Sequence, residues 1–445
     1  MNVKNFGLLL LIGFSVTMKA QEMKEDLSVE WNLNRCLSYA LDNNIQLNQS
    51  QLAAQTADAN LLQTRGQRLP NLSGSASQSA TNNRSFNDLG ESAGWNLNYG
   101  SSLSLNTGLT IYGGGQINND IKRSLLSKEA ALLTVDQTKM DISMSVVQAY
   151  LNILYAHENL KYYEEVALLS GKQLGRTQKL LDAGSVSKRD LVDMEAQLAS
   201  DNYSVVTAQS NLVQRRTELK QLLEIPVEET FQVYIPEEPV TDIMMALPER
   251  FEVFDATLQN RPDVRYSSLQ RDIAEVDLKN TRAAYLPTLS LSASVSTDYN
   301  NGFNSSYNAQ LSDNLMQRVG LTLSVPIFNR YATKASVSRS HINIKQAELV
   351  VVNTKNKLLQ AVERIYEDTY AGQQRYLAAL LQERAAEESH RLAAEQYQLG
   401  MLSSIELLQT RNNWLNTNRE LIQARYNTLL YRKILDYYMG IPIEL

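Results

Sequence analysis

The chain has 445 residues and carries 42 basic against 48 acidic side chains, a formal charge of -6. That balance argues against a nucleic-acid or anionic-lipid binder. The single cysteine, Cys36, excludes a disulfide framework and any multi-cysteine metal site.

The first element is Lys4, then the apolar run from Phe6 to Val16, then Lys19 and Ala20. This is the charged, apolar, small-residue order of a secretory signal peptide, predicted over residues 1-20 with the cut after Ala20. Loss of its two lysines moves the formal charge from -6 to about -8. The run is too short to cross a bilayer, and no later stretch approaches the roughly 20 apolar residues that a membrane helix needs. Cys36 follows Arg35 well downstream of the cut, so it is expected as a buried helix residue and not as a lipid anchor.

The remainder is written twice. Arg68-Leu69-Pro70-Asn71-Leu72-Ser73 recurs as Tyr285-Leu286-Pro287-Thr288-Leu289-Ser290, and downstream Tyr150 matches Tyr366, Gly184 matches Gly400, and Ile225-Pro226 matches Ile441-Pro442. The first repeat is predicted over 30-226, with a hairpin at about 70-112 and a turn at 182-190. The second covers 249-442, with a hairpin at about 287-328 and a turn at 398-406. Each half reads helix, two strands, long helix, tight turn, return helix. Between them, 227-248 carries Pro236, Pro239 and Pro248 among glutamates and reads as a connector.

The strands alternate. From Leu97 to Ile111 the odd positions include Leu97, Leu103, Leu105, Leu109 and Ile111, and the even ones are Asn, Gly, Ser and Thr. The second half repeats this in Leu289, Leu291, Ala293 and Val295 against serines, then in Val319, Leu321, Leu323, Val325 and Ile327. An apolar-out, small-polar-in strand of about ten residues is what a transmembrane β-barrel uses. Four strands cannot close a cylinder, so lipid contact demands assembly, and three copies leave room for a pore. Trp95, Tyr99, Tyr299 and Phe328, at or near strand ends, suit membrane-interface belts.

Gln116 to Lys172 and Thr333 to Gln396 lack proline and are rich in helix formers, predicting helices of roughly 85 to 95 Å. Leu358, Val362, Ile365, Thr369, Tyr376 or Leu377, and Leu380 form the expected seam of an antiparallel coiled coil. On the return helices, Leu191, Leu198, Val205 and Leu219 correspond to Leu407, Trp414, Leu421 and Leu435. At the two turns, Gly184 and Gly400 suit a left-handed helix end. Ser187 and Ser403 are predicted helix caps, with Asp190 and Glu406 completing capping boxes.

The element order, the duplication, the opening Trp31-x-Leu33-x-x-Cys36-Leu37-x-x-Ala40-Leu41-x-x-Asn44, the Arg261-Pro262-Asp263 start of the second half and both Leu-Pro-x-Leu-Ser segments together resemble the TolC outer-membrane efflux family. The resemblance implies a mainly α fold with a transmembrane β part. Long antiparallel coiled-coil helices would form an α-barrel, and four strands per chain would contribute to a 12-stranded β-barrel in a homotrimer. It implies an outer-membrane location with the helical barrel in the periplasm, and a passive channel for efflux or type I secretion. The implied partners are a periplasmic adaptor and an inner-membrane pump of RND or ABC type, with outer-membrane lipid around the sheet. By the same resemblance Ala183, Gly184, Ser185, Leu399, Gly400 and Met401 fall on adaptor-docking tips, and Asp190, Tyr397, Glu406 and Gln409 on the gate and constriction. Where the best-known members carry an arginine two residues after the second glycine, this chain has Leu402. Asp190 therefore lacks that partner, leaving Lys188, Arg189 or Tyr397 as candidate latches.

His157, His341 and His390 have no ligand-spaced partners, and Gly113-Gly114-Gly115 lacks a following Lys-Ser/Thr. No cofactor, metal site or catalysis is expected. The rival readings are a periplasmic adaptor or pore-free coiled-coil scaffold, and a secreted enzyme.

Overall fold

The computed structural model describes residues 30-86, 92-236 and 244-441. The signal peptide expected at 1-20 lies outside the described residues, as do the middle of the connector and the final residue of the second repeat, Pro442. The first half contains α1 (Leu33–Asn43), α2 (Ile45–Gly66), β1 (Asn71–Phe86), β2 (Ser92–Gly113), α3 (Gln116–Asp182) and α4 (Lys188–Leu222). The second contains α5 (Arg250–Asn260), α6 (Pro262–Ala283), β3 (Thr288–Asn300), α7 (Tyr307–Asp313), β4 (Met316–Ser324), α8 (Ala332–Gln398) and α9 (Ser404–Met439). The early helices are offset by 217 residues (33 to 250, 45 to 262) and the later ones by 216 (116 to 332, 188 to 404).

The joint within each helical pair is made by different chemistry at the same place. Asn44 accepts from the backbone of Gln46 and Leu47 at 2.9 and 3.2 Å, capping α2. Its counterpart α6 starts on Pro262, whose missing N–H is no loss at a first helical position.

α3 and α8 each run 67 residues, about 100 Å at 1.5 Å per residue. α3 continues ten residues past the predicted end at Lys172, carrying Gly171 and Gly175 inside it. Packing against α4 outweighs the glycines' backbone entropy, about 1 kcal/mol each against alanine. α3 packs on α4 and α8 on α9, and α6 contacts both long helices.

In α8 the buried column is Leu358, Ile365, Gly372, Ala379, Ala386 and Ala393, spaced by seven. A strict seven-residue seam imposes a left-handed supercoil. This corrects the expected stripe beyond Thr369. Tyr376 and Leu380 are only half-buried and Leu377 is exposed, because the column lands on small residues instead. They let the helices close up: a Cβ at Gly372 would stand 3.0 Å from Thr428 Oγ1.

The main apolar core lies midway along α3, where Val146, Val147, Tyr150 and Ile153 pack with Trp31, Cys36, Leu219 and Leu223. Trp31 is fully buried, edge-on to Tyr39 with ring centroids 5.0 Å apart, under the Arg35 guanidinium at 4.6 Å. It is bridged to the connector, donating its backbone N–H to the Gln232 carbonyl at 2.9 Å. Burial pushes the Cys36 thiol up to about 12, leaving an unreactive packing residue.

The four strands form one antiparallel sheet in the order β1-β2-β3-β4. α7, unforeseen in the sequence, sits in the β3–β4 connection and packs on β3, with Gln310 accepting from the backbone N–H of Asn300 at 3.0 Å. No described helix is long and apolar enough to cross a membrane.

Candidate functional site: the open sheet and the two helical turns

Register sorts the sheet into two chemically opposite faces. Leu72, Thr107, Ala293 and Val319 stand across from one another, and Leu109, Leu291 and Leu321 form the next apolar row. The opposite face carries Ser75, Ser77, Ser102, Ser104, Ser292 and Ser294, with hydroxyl pairs Ser75–Ser104 at 2.7 Å and Ser77–Ser102 at 2.8 Å. The apolar side chains are bare: Leu72 is 76%, Val319 75% and Leu321 63% exposed. A contiguous leucine-rich face of this kind marks contact with lipid or another apolar surface. The alternation expected through Ile111 ends at Thr110, because a register shift between Thr110 and Tyr112 takes Ile111 out of the ladder and brings Tyr112 opposite Leu289. A bulge there re-aims the strand toward the helix that follows.

β1 and β4 are open edges, each a row of unpaired backbone groups that templates another strand. Exposed Trp95 and Tyr99 lie at the loop end of the sheet and Phe328 at the helical end.

The two turns have the same local build. Gly184 (φ 75°) and Gly400 (φ 70°) are left-handed, and a Cβ at either would meet nothing within 4 Å, so conformation and not space demands glycine. The N–H of Ser185 reaches Leu180 and that of Met401 reaches Gln396, the six-to-one bond of a Schellman end. Ser187 and Ser403 cap α4 and α9, and Asp190 and Glu406 close both capping boxes. Ala183, Gly184, Ser185, Leu399, Gly400 and Met401 are all exposed.

Of the predicted gate residues, Asp190 reaches across to the second turn. Hydrogen bonds from the Ser187 hydroxyl, and next from the Ser404 hydroxyl of α9, hold its carboxyl below the usual range. Among the described residues no ion pair joins it to Lys188 or Arg189. Arg189 faces Asp193 at 4.0 Å, and the Tyr397 hydroxyl is buried without a partner among the described residues. Tyr397 packs in the hairpin seam with Ala393, Leu407 and the half-buried Leu402, so leucine joins an apolar cluster where the family's arginine would be. Glu406 is exposed, its carboxyl held below the usual range by the backbone and hydroxyl of Ser403, and Gln409 is exposed beside it.

The sequence reading missed a polar node higher in the bundle. Asp201 of α4 accepts from Arg411 Nη2 of α9 at 2.6 Å, Arg411 also donates to Ser170 Oγ of α3 at 2.8 Å, and Ser170 bonds Asp201. It is the most deeply buried ion pair among the described residues, with side chains 7% and 10% exposed. One signal was available. Asp201 falls seven residues from both Met194 and Ala208, in the buried column of α4, and Arg411 seven from buried Ser404.

An open sheet with one bare apolar face, carried on paired helices about 100 Å long, defines a subunit of a membrane channel with a helical extension. The model of the family described as outer membrane efflux protein matches residues 36–224 and 253–440, and the chain belongs to that family. Among its relatives, the cation efflux system protein CusC of Escherichia coli (strain K12) is 24% identical over 415 residues, 89% of this chain and 84% of that protein. The proteases secretion protein PrtF of Dickeya chrysanthemi is 22% identical over 349 residues, 77% of this chain and 73% of the relative. A crystal structure of CusC superposes with a TM-score of 0.80 at 21% identity, covering 93% of each chain. The family's members are channels and not enzymes, which sets aside the readings as an adaptor or a secreted enzyme.

Proposed function

We propose that three copies of this chain close their sheets into a twelve-stranded barrel in the outer membrane, with the apolar face outward. The helices continue as one conduit into the periplasm. The observation that carries this is the four-stranded sheet with two open edges and a bare leucine-rich face: hydrocarbon tolerates neither unpaired backbone nor an unclosed sheet. Two copies would give eight strands, a bore that side chains fill, whereas three give twelve and leave a channel.

The exposed turns at Ala183-Gly184-Ser185 and Leu399-Gly400-Met401 are the docking sites for a periplasmic adaptor, and an inner-membrane pump of RND or ABC type supplies the energy. Asp190, Tyr397, Glu406 and Gln409 belong to the gate, with the Asp190–Ser404 contact serving where an arginine is missing. The relatives' names attach this fold to cation efflux in one case and to protease secretion in the other, so cargo is chosen by the pump.

The mass of the detergent-purified complex and its conductance in planar bilayers test the reading together. A three-chain particle that opens ion-conducting steps supports it. A monodisperse monomer that needs no detergent overturns it.

A further inference from the structure

Beside the Asp201–Arg411 node, between the two hairpins, lies a cavity of about 180 Å³ reached by side chains of all four long and return helices. Lys172 and Arg176 of α3, Gln197 of α4, His390 of α8 and Arg411 of α9 line it, and no acidic side chain does. Neither Lys172 nor Arg176 has an ion-pair partner among the described residues, and both are exposed at its rim. Arg411, only 9% exposed, spends Nη2 on Asp201 and Ser170 and leaves Nη1 buried without a partner. A guanidinium offers five donors in a fork shaped for two oxygens of one anion. The Nδ1 of His390 is likewise unpartnered.

The duplication does not account for this cluster. A shift of 216 residues places Glu388, Leu392 and Glu195 at the counterparts of Lys172, Arg176 and Arg411. In a chain of net charge -6, this convergence of three cations is not repeated at the equivalent positions of the other half.

We propose that this cavity is a binding site for a small oxyanion of the phosphate or sulfate class, held by Arg411 from α9 and by Lys172 and Arg176 from α3. Its volume lies below the roughly 300–1,000 Å³ of sites for drug-sized molecules, which points to an inorganic ion. Bound there, the anion offsets repulsion among the three cations and ties the first hairpin to the second.

The chain supplies its own reporter. Trp414 stacks on His390 with ring centroids 5.3 Å apart and planes at 13°. The detergent-solubilised assembly is titrated with sodium phosphate and sodium sulfate against sodium chloride of equal ionic strength, reading tryptophan fluorescence and the thermal midpoint. A Trp414→Phe variant assigns the signal. The expected result is a saturable response to both oxyanions, with a midpoint at least about tenfold weaker in the Lys172→Gln/Arg176→Gln variant, which loses two charge-assisted contacts. Both substitutions are at positions exposed in the single chain, so its fold is retained, and the gel mobility of the heat-modifiable form checks that the variant assembles. A response equal in the variant, or neither readout moving beyond the chloride control, overturns the proposal.

Discussion

Leu291 and Ser292 are neighbours on β3 whose replacement by arginine should differ sharply. The ladder between β3 and β4 runs over nine register positions, from Thr288↔Ser324 to Ser296↔Met316. At 3.3 Å per residue that is about 30 Å of strand, and a tilt of about 40° reduces it to about 23 Å of height. This matches an apolar band of about 25 Å, so Leu291, flanked by Leu109 and Leu321, lies near the membrane midplane. An arginine there costs about 2–4 kcal/mol per chain, and about 6–12 kcal/mol over three chains. Ser292, one residue on, faces the lumen side, where the cost falls to near zero. Refolding Leu291→Arg and Ser292→Arg into lipid vesicles, with the yield of heat-modifiable assembly read on gels, separates the two. Equal yields would refute the sidedness assigned to the sheet.

Asp201→Asn or Arg411→Ala alone should destabilise by about 3–5 kcal/mol, because each strands a buried partner. The double replacement by leucine should recover most of that loss in denaturant unfolding followed by circular dichroism. Gly184→Ala and Gly400→Ala should each cost about 1–2 kcal/mol through the left-handed backbone alone, with no loss of packing, measured as a drop in thermal midpoint. Burial, and next the Arg411 charge, push the His390 imidazole below its usual value of 6.5. The unfolded chain therefore takes up a proton that the folded chain refuses, and stability should fall as pH drops below about 6.5. His157 is shifted the same way by burial and Arg216, so His390→Gln should flatten part of the pH dependence of the thermal midpoint, and adding His157→Gln more of it. On the gate assignment proposed above, in which three Glu406 carboxylates face one axis, Glu406→Gln should lower cation preference in single-channel recordings; unchanged selectivity removes Glu406 from the constriction.

The parts of this molecule governed by local chemistry were legible from residues alone. Glycine at the left-handed turn, serine three residues before an acid, and leucine alternating with serine each specify their own backbone. The family model and the fold comparison agree with the recognition drawn from those segments. What escaped depended on distant partners. Arg411 and Asp201 are 210 residues apart, and only the packing of one hairpin on the other makes a charge in each seam intelligible. The shift of the α8 seam from Leu380 to Ala379 has the same origin, since proximity to α9 selects for small side chains and a hydrophobicity pattern favours large ones. α7 lies in a loop of Asn and Ser, where composition suggests turns and the cap at Ser306 was the sole helical cue.

The open edges at β1 and β4 also bear on the history of each subunit before it is inserted. A newly exported copy is sticky on two sides and greasy on one, and it reaches safety only by meeting two siblings, so its survival depends steeply on how many are present. Unpaired edges of this kind template pairing with any exposed strand, so closing against copies of itself also removes the sheet from the reach of aggregation.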